Sequence, residues 1–324
     1  MNLITENNFH YLYRIGNRTR PFFLRKNKYY QHFKIESKNR ETNDLLFQKI
    51  IEGKPMMVAR FGSTESRAIV NKLLIDKIPN DVVGIYKYLV GEIGINWNDS
   101  SKYLDNLCKL SGFFPNDKTL LPRFVEMYLE SAKELDVLGV WNELELYIPT
   151  IPHDVQLCNI RELEPWFFSN PWSNALKGKK VLVIHPFEET IKAQYKNRSN
   201  IYLDQDVLPQ FDLLTIKAVQ SIADEKTNYV TWFDALDDMK KQIDEVDFDV
   251  AILGCGAYGL PLASYIKKLG KQAIHLGGVT QLLFGIKGKR WEEWTHYTSL
   301  RGNGWVFADE KPKGFNKVEN GCYW

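Results

Sequence analysis

The sequence has no Cys-x-x-Cys pair; its four cysteines, Cys108, Cys158, Cys255 and Cys322, stand far apart. That excludes a zinc knuckle and a disulfide framework, and it fits a reducing compartment. No run of 18 apolar residues occurs, and the first 30 residues hold no uninterrupted apolar stretch. The expectation is a cytoplasmic chain that neither spans a membrane nor carries a signal peptide. A Gly-x-Ser-x-Gly elbow, a His-Glu-x-x-His pair, a Walker A loop, internal repeats and low-complexity tracts are also missing. Serine hydrolase, zinc hydrolase and P-loop ATPase readings therefore fall away. Net charge is nearly absent too, since 42 basic residues face 40 acidic ones. Nothing in that balance suggests a protein that coats nucleic acid.

The 324 residues are 44% hydrophobic and 25% charged, the make-up of an ordinary globule with a sizeable core. Charge is unevenly spread: residues 1–40 carry a net +7 and residues 41–324 a net −5. The opening segment interleaves its cations with Phe9, Tyr11, Tyr13, Phe22, Phe23, Tyr29, Tyr30 and Phe33. It reads as a basic aromatic arm, either packed on the domain or docked on anionic lipid. Single-stranded nucleic acid would also accept such a segment, but no RNA-binding motif accompanies it, so no nucleic-acid partner is expected.

From residue 41 the pattern alternates. A helix is predicted over 41–51, a buried strand over 55–62 and a helix over 63–74. The stretch 99–148 reads as mostly helical, an insertion or a flank of the sheet. Then come apolar strands at 181–187, 211–216, 248–253 and 272–276, separated by helices at 188–197, 231–246 and 257–269. Strands apolar on both faces, alternating with long helices, predict an α/β fold: a Rossmann-like, doubly wound, mainly parallel sheet. The strand at 55–62 favours one domain over 41–324 rather than two.

Four strand exits share a tight turn that opens a helix: Phe61-Gly62-Ser63-Thr64-Glu65, His185-Pro186-Phe187-Glu188, Gly254-Cys255-Gly256-Ala257-Tyr258-Gly259 and Gly277-Gly278-Val279-Thr280. Ligands of open parallel sheets lie beyond such strand ends, where exposed N–H groups suit phosphate oxygens. Glycines also turn strands into helices with no ligand involved; as a set, the four exits point to a nucleotide. Gly254-x-Gly256-x-x-Gly259 fits the dinucleotide fingerprint, but the next strand ends His275-Leu276-Gly277 without the carboxylate that would hold the ribose. Lys287, Lys289 and Arg290 are flexible cations after the last strand, suited either to a diphosphate or to a solvated loop. His185, His275 and Glu188 are candidate bases at strand exits, and Trp291, Trp294, Trp305 and Trp324 are stacking or packing aromatics.

Val58-Ala59-Arg60-Phe61-Gly62-Ser63-Thr64-Glu65 resembles the Arg-Phe-Gly-Asp-Gly-Glu segment of the GT-D-type glycosyltransferases, bacterial enzymes with a Rossmann-like fold. The segments around His185, Gly254–Gly259 and His275–Gly278 are similar to proteins of bacterial surface-polysaccharide assembly. The resemblance implies transfer of a sugar from a nucleotide-diphosphate sugar to a lipid- or glycan-linked acceptor. It also implies Mn²⁺ or Mg²⁺, held by an Asp-x-Glu pair. Glu65 matches the glutamate, whereas Ser63 stands in the aspartate position, and a hydroxyl is a much poorer ligand for a hard cation. Arg60, Lys287, Lys289 and Arg290 are then the charges available for the leaving diphosphate. On this reading Gly62, Ser63, Gly254, Gly256, Tyr258, Gly277, Gly278 and Thr280 line the nucleotide-sugar site, and His185 or Glu188 takes the acceptor's proton. The resemblance also implies peripheral contact with the inner face of the membrane through residues 1–40. Two other readings stay open: an NAD(P)-linked oxidoreductase using Gly254–Gly259, and a non-catalytic nucleotide- or sugar-binding component.

Overall fold

The computed structural model describes residues 40–78, 81–89, 100–222, 227–317 and 320–324. The basic arm lies outside these residues except for Arg40, which begins the helix Arg40–Glu52. Seven strands form one all-parallel sheet: β1 Met56–Ala59, β2 Val137–Val140, β3 Gln156–Asn159, β4 Lys180–His185, β5 Asp212–Lys217, β6 Val250–Leu253 and β7 Gln272–His275. Their spatial order is β3-β2-β1-β7-β6-β4-β5. This is an α/β protein consistent with a Rossmann-like fold. A two-stranded parallel ribbon, β8 Ile286–Lys287 and β9 Val306–Phe307, stands apart.

The inner strands β2, β1, β7, β6 and β4 are buried on both faces, alternate residues entering different cores, whereas the edge strands β3 and β5 each bury one side chain. Met57, Ala59, Leu182, Ile184, Ala251 and Leu253 join one core, together with Ser63–Ile75, Leu121–Ala132, Trp232–Asp244 and Gly259–Lys268. Met56, Val58, Val181, Val183, Val250 and Ile252 join the other, with Arg40–Glu52 and Glu188–Lys196. Helix starts follow local chemistry. Thr231 and Asp234 close a reciprocal capping box on Trp232–Asp244, which satisfies N–H groups the helix cannot pair itself.

Each strand read from the sequence is present, within two or three residues at its ends. The stretch 99–148 differs from the helical insertion expected of it. It holds the helices Ser101–Ser111 and Leu121–Ala132, but also β2, which pairs with β1 and leads on to β3. Four residues, Val137-Leu138-Gly139-Val140, are too few to show a period of two. Among the described residues no helix is long and apolar enough to cross a membrane.

The topology places the chemistry. After β4 the chain runs outward to β5 and returns on the opposite side to β6 and β7, so strand order reverses at β4. Register sets Ile184 beside Leu253, and Leu253 beside His275. The residues just past β1, β7, β6 and β4 therefore stand in a row along one edge of the sheet.

Candidate functional site

Two adjoining cavities open at that edge. The larger, about 500 Å³, takes Arg60, Gly62, Ser63 and Glu65 from the β1 exit. The β6 and β7 exits add Gly256, His275, Gly277 and Gly278, and Arg290, Trp294 and Tyr323 close the far side. The smaller, about 110 Å³, lies at the β4–β6 reversal and takes His185, Gly254 and Tyr258. Ser111, Gly256, Gly278 and Tyr323 border both. Gly256 and Gly277 have φ of +57° and +68°, a conformation that side chains rarely adopt, so the two turns at this border need glycine.

Arg60 is the central cation of the larger cavity. Its Nε and one terminal nitrogen donate to the Phe61 carbonyl at 3.3 and 3.2 Å, and its guanidinium lies 4.8 Å from the Trp141 ring centre. Trp141 Nε1 donates to the same carbonyl at 2.8 Å, which fixes ring and guanidinium as one unit. Burial lowers the Arg60 pKa; Tyr323, Glu65 and Glu145 pull it back up, and the like charge of Arg290 lowers it further. Arg290 donates to Tyr323 Oη at 3.2 Å and stacks 4.8 Å from that ring. Two cations that raise each other's electrostatic cost in one cavity are relieved by an anion placed between them.

Glu65 is buried in the first turn of Ser63–Ile75. Its carboxylate turns back over Gly62, where any side chain would overlap it. Burial raises its pKa; its own backbone N–H, Arg60 and the Ser111 hydroxyl pull the pKa back down. The carboxylate thus occupies the anion position of its own helix terminus. The divalent metal implied by the resemblance does not fit this set. A hard cation wants several oxygen ligands, and here a serine hydroxyl joins one carboxylate already committed to the helix. Among the described residues no group of three His, Cys, Asp or Glu side chains is placed to hold a metal.

The remaining candidates separate. His185 lines the smaller cavity and is held by the Phe187 N–H, which donates to its Nδ1 at 3.0 Å. Thr280 is fully buried and bonds the Leu253 carbonyl at 3.1 Å, so it builds the floor beneath Gly254 rather than the lining. Glu188 lines neither cavity. It accepts from Thr215 at 2.6 Å and pairs with Lys192 at 2.8 Å, which removes it as a base for a ligand there. Its helix terminus is also taken, because Glu310 accepts from the Glu189 and Thr190 N–H groups at 2.9 and 3.0 Å. Lys287 and Lys289 stand over the Phe307 and Phe315 rings, outside both cavities. Of the four late tryptophans Trp294, 41% exposed, faces the larger cavity and Trp324, itself buried, lines the smaller one; Trp291 and Trp305 line neither and are packing residues.

Tyr128, Trp141, Glu145 and Tyr323 were not legible as site residues. Each lies far in sequence from the glycine turns and belongs to a segment without a motif. Glu145 is buried beside Arg60, and the backbone N–H groups of Trp141 and Asn142 also face its carboxylate. Burial pushes its pKa up to about 8, against the pull of Arg60. Burial likewise lifts Glu164 to about 7, and it lowers His185 and His275 to about 3.

These shifts predict a stability maximum in the mildly acidic range. The histidines charge more readily when unfolded, so their contribution is lost as pH falls from 6.5 toward about 3. The carboxyls ionise more readily when unfolded, so their contribution is lost as pH rises from 4.5 through about 7 for Glu164 and about 8 for Glu145. Between pH 6.5 and 8 only the loss operates. Urea midpoints should fall across that window in the wild type and fall less in Glu145→Gln; identical slopes would remove Glu145 as the cause.

Comparison of the chain with protein-family models, with curated proteins and with solved structures returns no match.

Proposed function

We propose that the protein is a glycosyltransferase that binds a nucleotide-diphosphate sugar in the larger cavity without a metal ion. The observation that supports this reading is the pairing of Arg60 and Arg290 on one cavity with the glycine turns at 256 and 277–278 and the Ser63–Glu65 segment. Glycine turns let backbone approach phosphate oxygens closely. Two arginines at the edge of a parallel sheet offer forked donors to a diphosphate, and they stabilise the charge that grows on it as it leaves. In the transfer the anomeric carbon–oxygen bond to the diphosphate breaks, the bond to the acceptor hydroxyl forms, and the hydroxyl proton passes to a base. The same reading takes the sheet as doubly wound, with its ligand at the carboxyl edge. It takes Trp141 and Trp294, each 41% exposed, as ring faces for sugar at the mouth. It also takes residues 1–40 as the segment that brings the enzyme to lipid-linked acceptors on an anionic membrane.

Thermal shift with UDP-, GDP-, CMP- and dTDP-sugars and with NADH, each with Mn²⁺, Mg²⁺ or EDTA, tests the reading. At least one of the UDP-, GDP- or dTDP-sugars should raise the midpoint equally with metal and with EDTA; a shift with the CMP-sugar alone, which carries a single phosphate, would overturn the diphosphate reading. Stabilisation by NADH alone would overturn the transferase reading, and a shift that vanishes in EDTA would overturn the metal-free one.

A further inference from the structure

In a dinucleotide-binding unit the strand after the glycine fingerprint ends, about 20 residues on, in a carboxylate that holds the ribose hydroxyls. Here β7 ends in His275, 21 residues past Gly254. Its ring is fixed by two features. Nδ1 lies 3.2 Å from the Leu253 carbonyl oxygen, which can only accept, so Nδ1 carries the proton and Nε2 keeps a lone pair. Gly259 leaves the space the ring fills: a Cβ at 259 would sit 2.7 Å from Nε2 and overlap the rest of the imidazole. The third glycine of the fingerprint thus makes room for this side chain.

Among the described residues Nε2 has no hydrogen-bond partner, and it is not sealed from the cavity. The ring lines the larger cavity alongside Arg60 and Gly277. His185 is the opposite case, because its Nδ1 accepts from the Phe187 N–H and its proton therefore sits on Nε2. Of the two histidines at the sheet edge, only His275 presents an acceptor to a ligand.

We propose that His275 Nε2 accepts a hydrogen bond from one ribose hydroxyl of the nucleotide held in the larger cavity, replacing the carboxylate of the fingerprint. This assignment rests on the nucleotide-sugar reading above. One lone pair takes one hydroxyl, where a carboxylate takes both. A neutral ring also adds no negative charge to compete with the diphosphate for Arg60.

The test is calorimetric titration of UDP and GDP and their 2′-deoxy and 3′-deoxy forms into wild type and His275→Ala. In wild type one deoxy form should bind about tenfold more weakly and the other within about twofold, the scale of one hydrogen bond to a neutral acceptor. In His275→Ala both deoxy forms should bind within about twofold of the parent nucleotide. Equal discrimination by the two proteins would overturn the assignment. So would an effect of His275→Ala confined to UDP-sugars and absent with UDP, which would place the ring on the sugar instead. Nitrogen NMR of the wild-type ring is independent of how the variant folds. It should show protonated Nδ1, and an Nε2 resonance that moves with the tighter nucleotides and not with the weak deoxy form; protonated Nε2 would refute the proposal. If no nucleoside diphosphate or nucleotide sugar binds wild type, the nucleotide-sugar reading itself fails.

Discussion

Arg60→Ala should bind a nucleoside diphosphate roughly 100-fold more weakly than wild type, within the 2–5 kcal/mol typical for removing one partner of an enclosed charge pair. The size follows from where the guanidinium sits. It is withdrawn from water and anchored to the Phe61 carbonyl on one side, while its other terminal nitrogen faces the Gly277 turn, 3.2 Å from where a Cβ on Gly277 would stand. An anion at that turn meets a charge already desolvated and oriented, so little reorganisation is needed on binding. Lysine at 60 should restore only part of the affinity. A point charge cannot bond Phe61 and a phosphate oxygen in one plane, and it lacks the flat face that rests on Trp141. Titration calorimetry on the three proteins gives the ranking; equal affinities would remove Arg60 from the ligand.

Trp232→Ala should lower folding stability by about 3–5 kcal/mol, the range for deleting a buried tryptophan. Trp232 is fully buried at the start of Trp232–Asp244. It stacks on Tyr258 at 4.6 Å with 7° between the planes, and it meets Phe124, Phe233 and Phe113 at 5.4, 5.4 and 5.9 Å. The ring joins two walls of the site. Tyr258 belongs to the Gly254–Gly259 turn, and Phe113 follows the Ser111–Gly112 segment that lines the smaller cavity. Its loss should therefore weaken ligand binding as well as the fold. Trp232→Phe should cost much less: among the described residues the indole Nε1 has no hydrogen-bond partner, so removing it leaves no acceptor orphaned. Urea unfolding of the two variants separates the cases, and an alanine cost below about 1 kcal/mol would show that the cluster relaxes around the gap.

The parallel sheet was legible because its strands carry their own signal. Val181-Leu182-Val183-Ile184 and Val250-Ala251-Ile252-Leu253 are apolar at every position, and both faces of those strands are indeed buried. β2 and β3 were not, since Val137–Val140 spans four residues and Gln156–Asn159 is an edge strand with one buried side chain. In the site, the motif at 60–65 and the glycine turns were readable from local chemistry, and they do meet at one cavity. What sequence could not give was direction. Glu188 looked like a base at a strand exit, but Lys192 lies one helical turn on and Thr215 sits on the neighbouring strand, and both draw its carboxylate away. Lys287 and Lys289 looked equivalent to Arg290, yet only Arg290 is carried into the cavity beside Tyr323. Trp141 and Glu145 lie against Arg60, about 80 residues upstream, and no pattern in a single chain reports so distant a pairing.

On the function proposed above, the arginine-lined cavity, and no metal ion, holds a nucleotide-diphosphate sugar. The decisive measurement is calorimetric titration of UDP-, GDP- and dTDP-sugars into wild-type protein, in EDTA and again in Mn²⁺. At least one of these sugars should bind one-to-one with the same affinity in both buffers. Binding that appears only with Mn²⁺, or no binding of any nucleotide sugar in either buffer, would contradict that function.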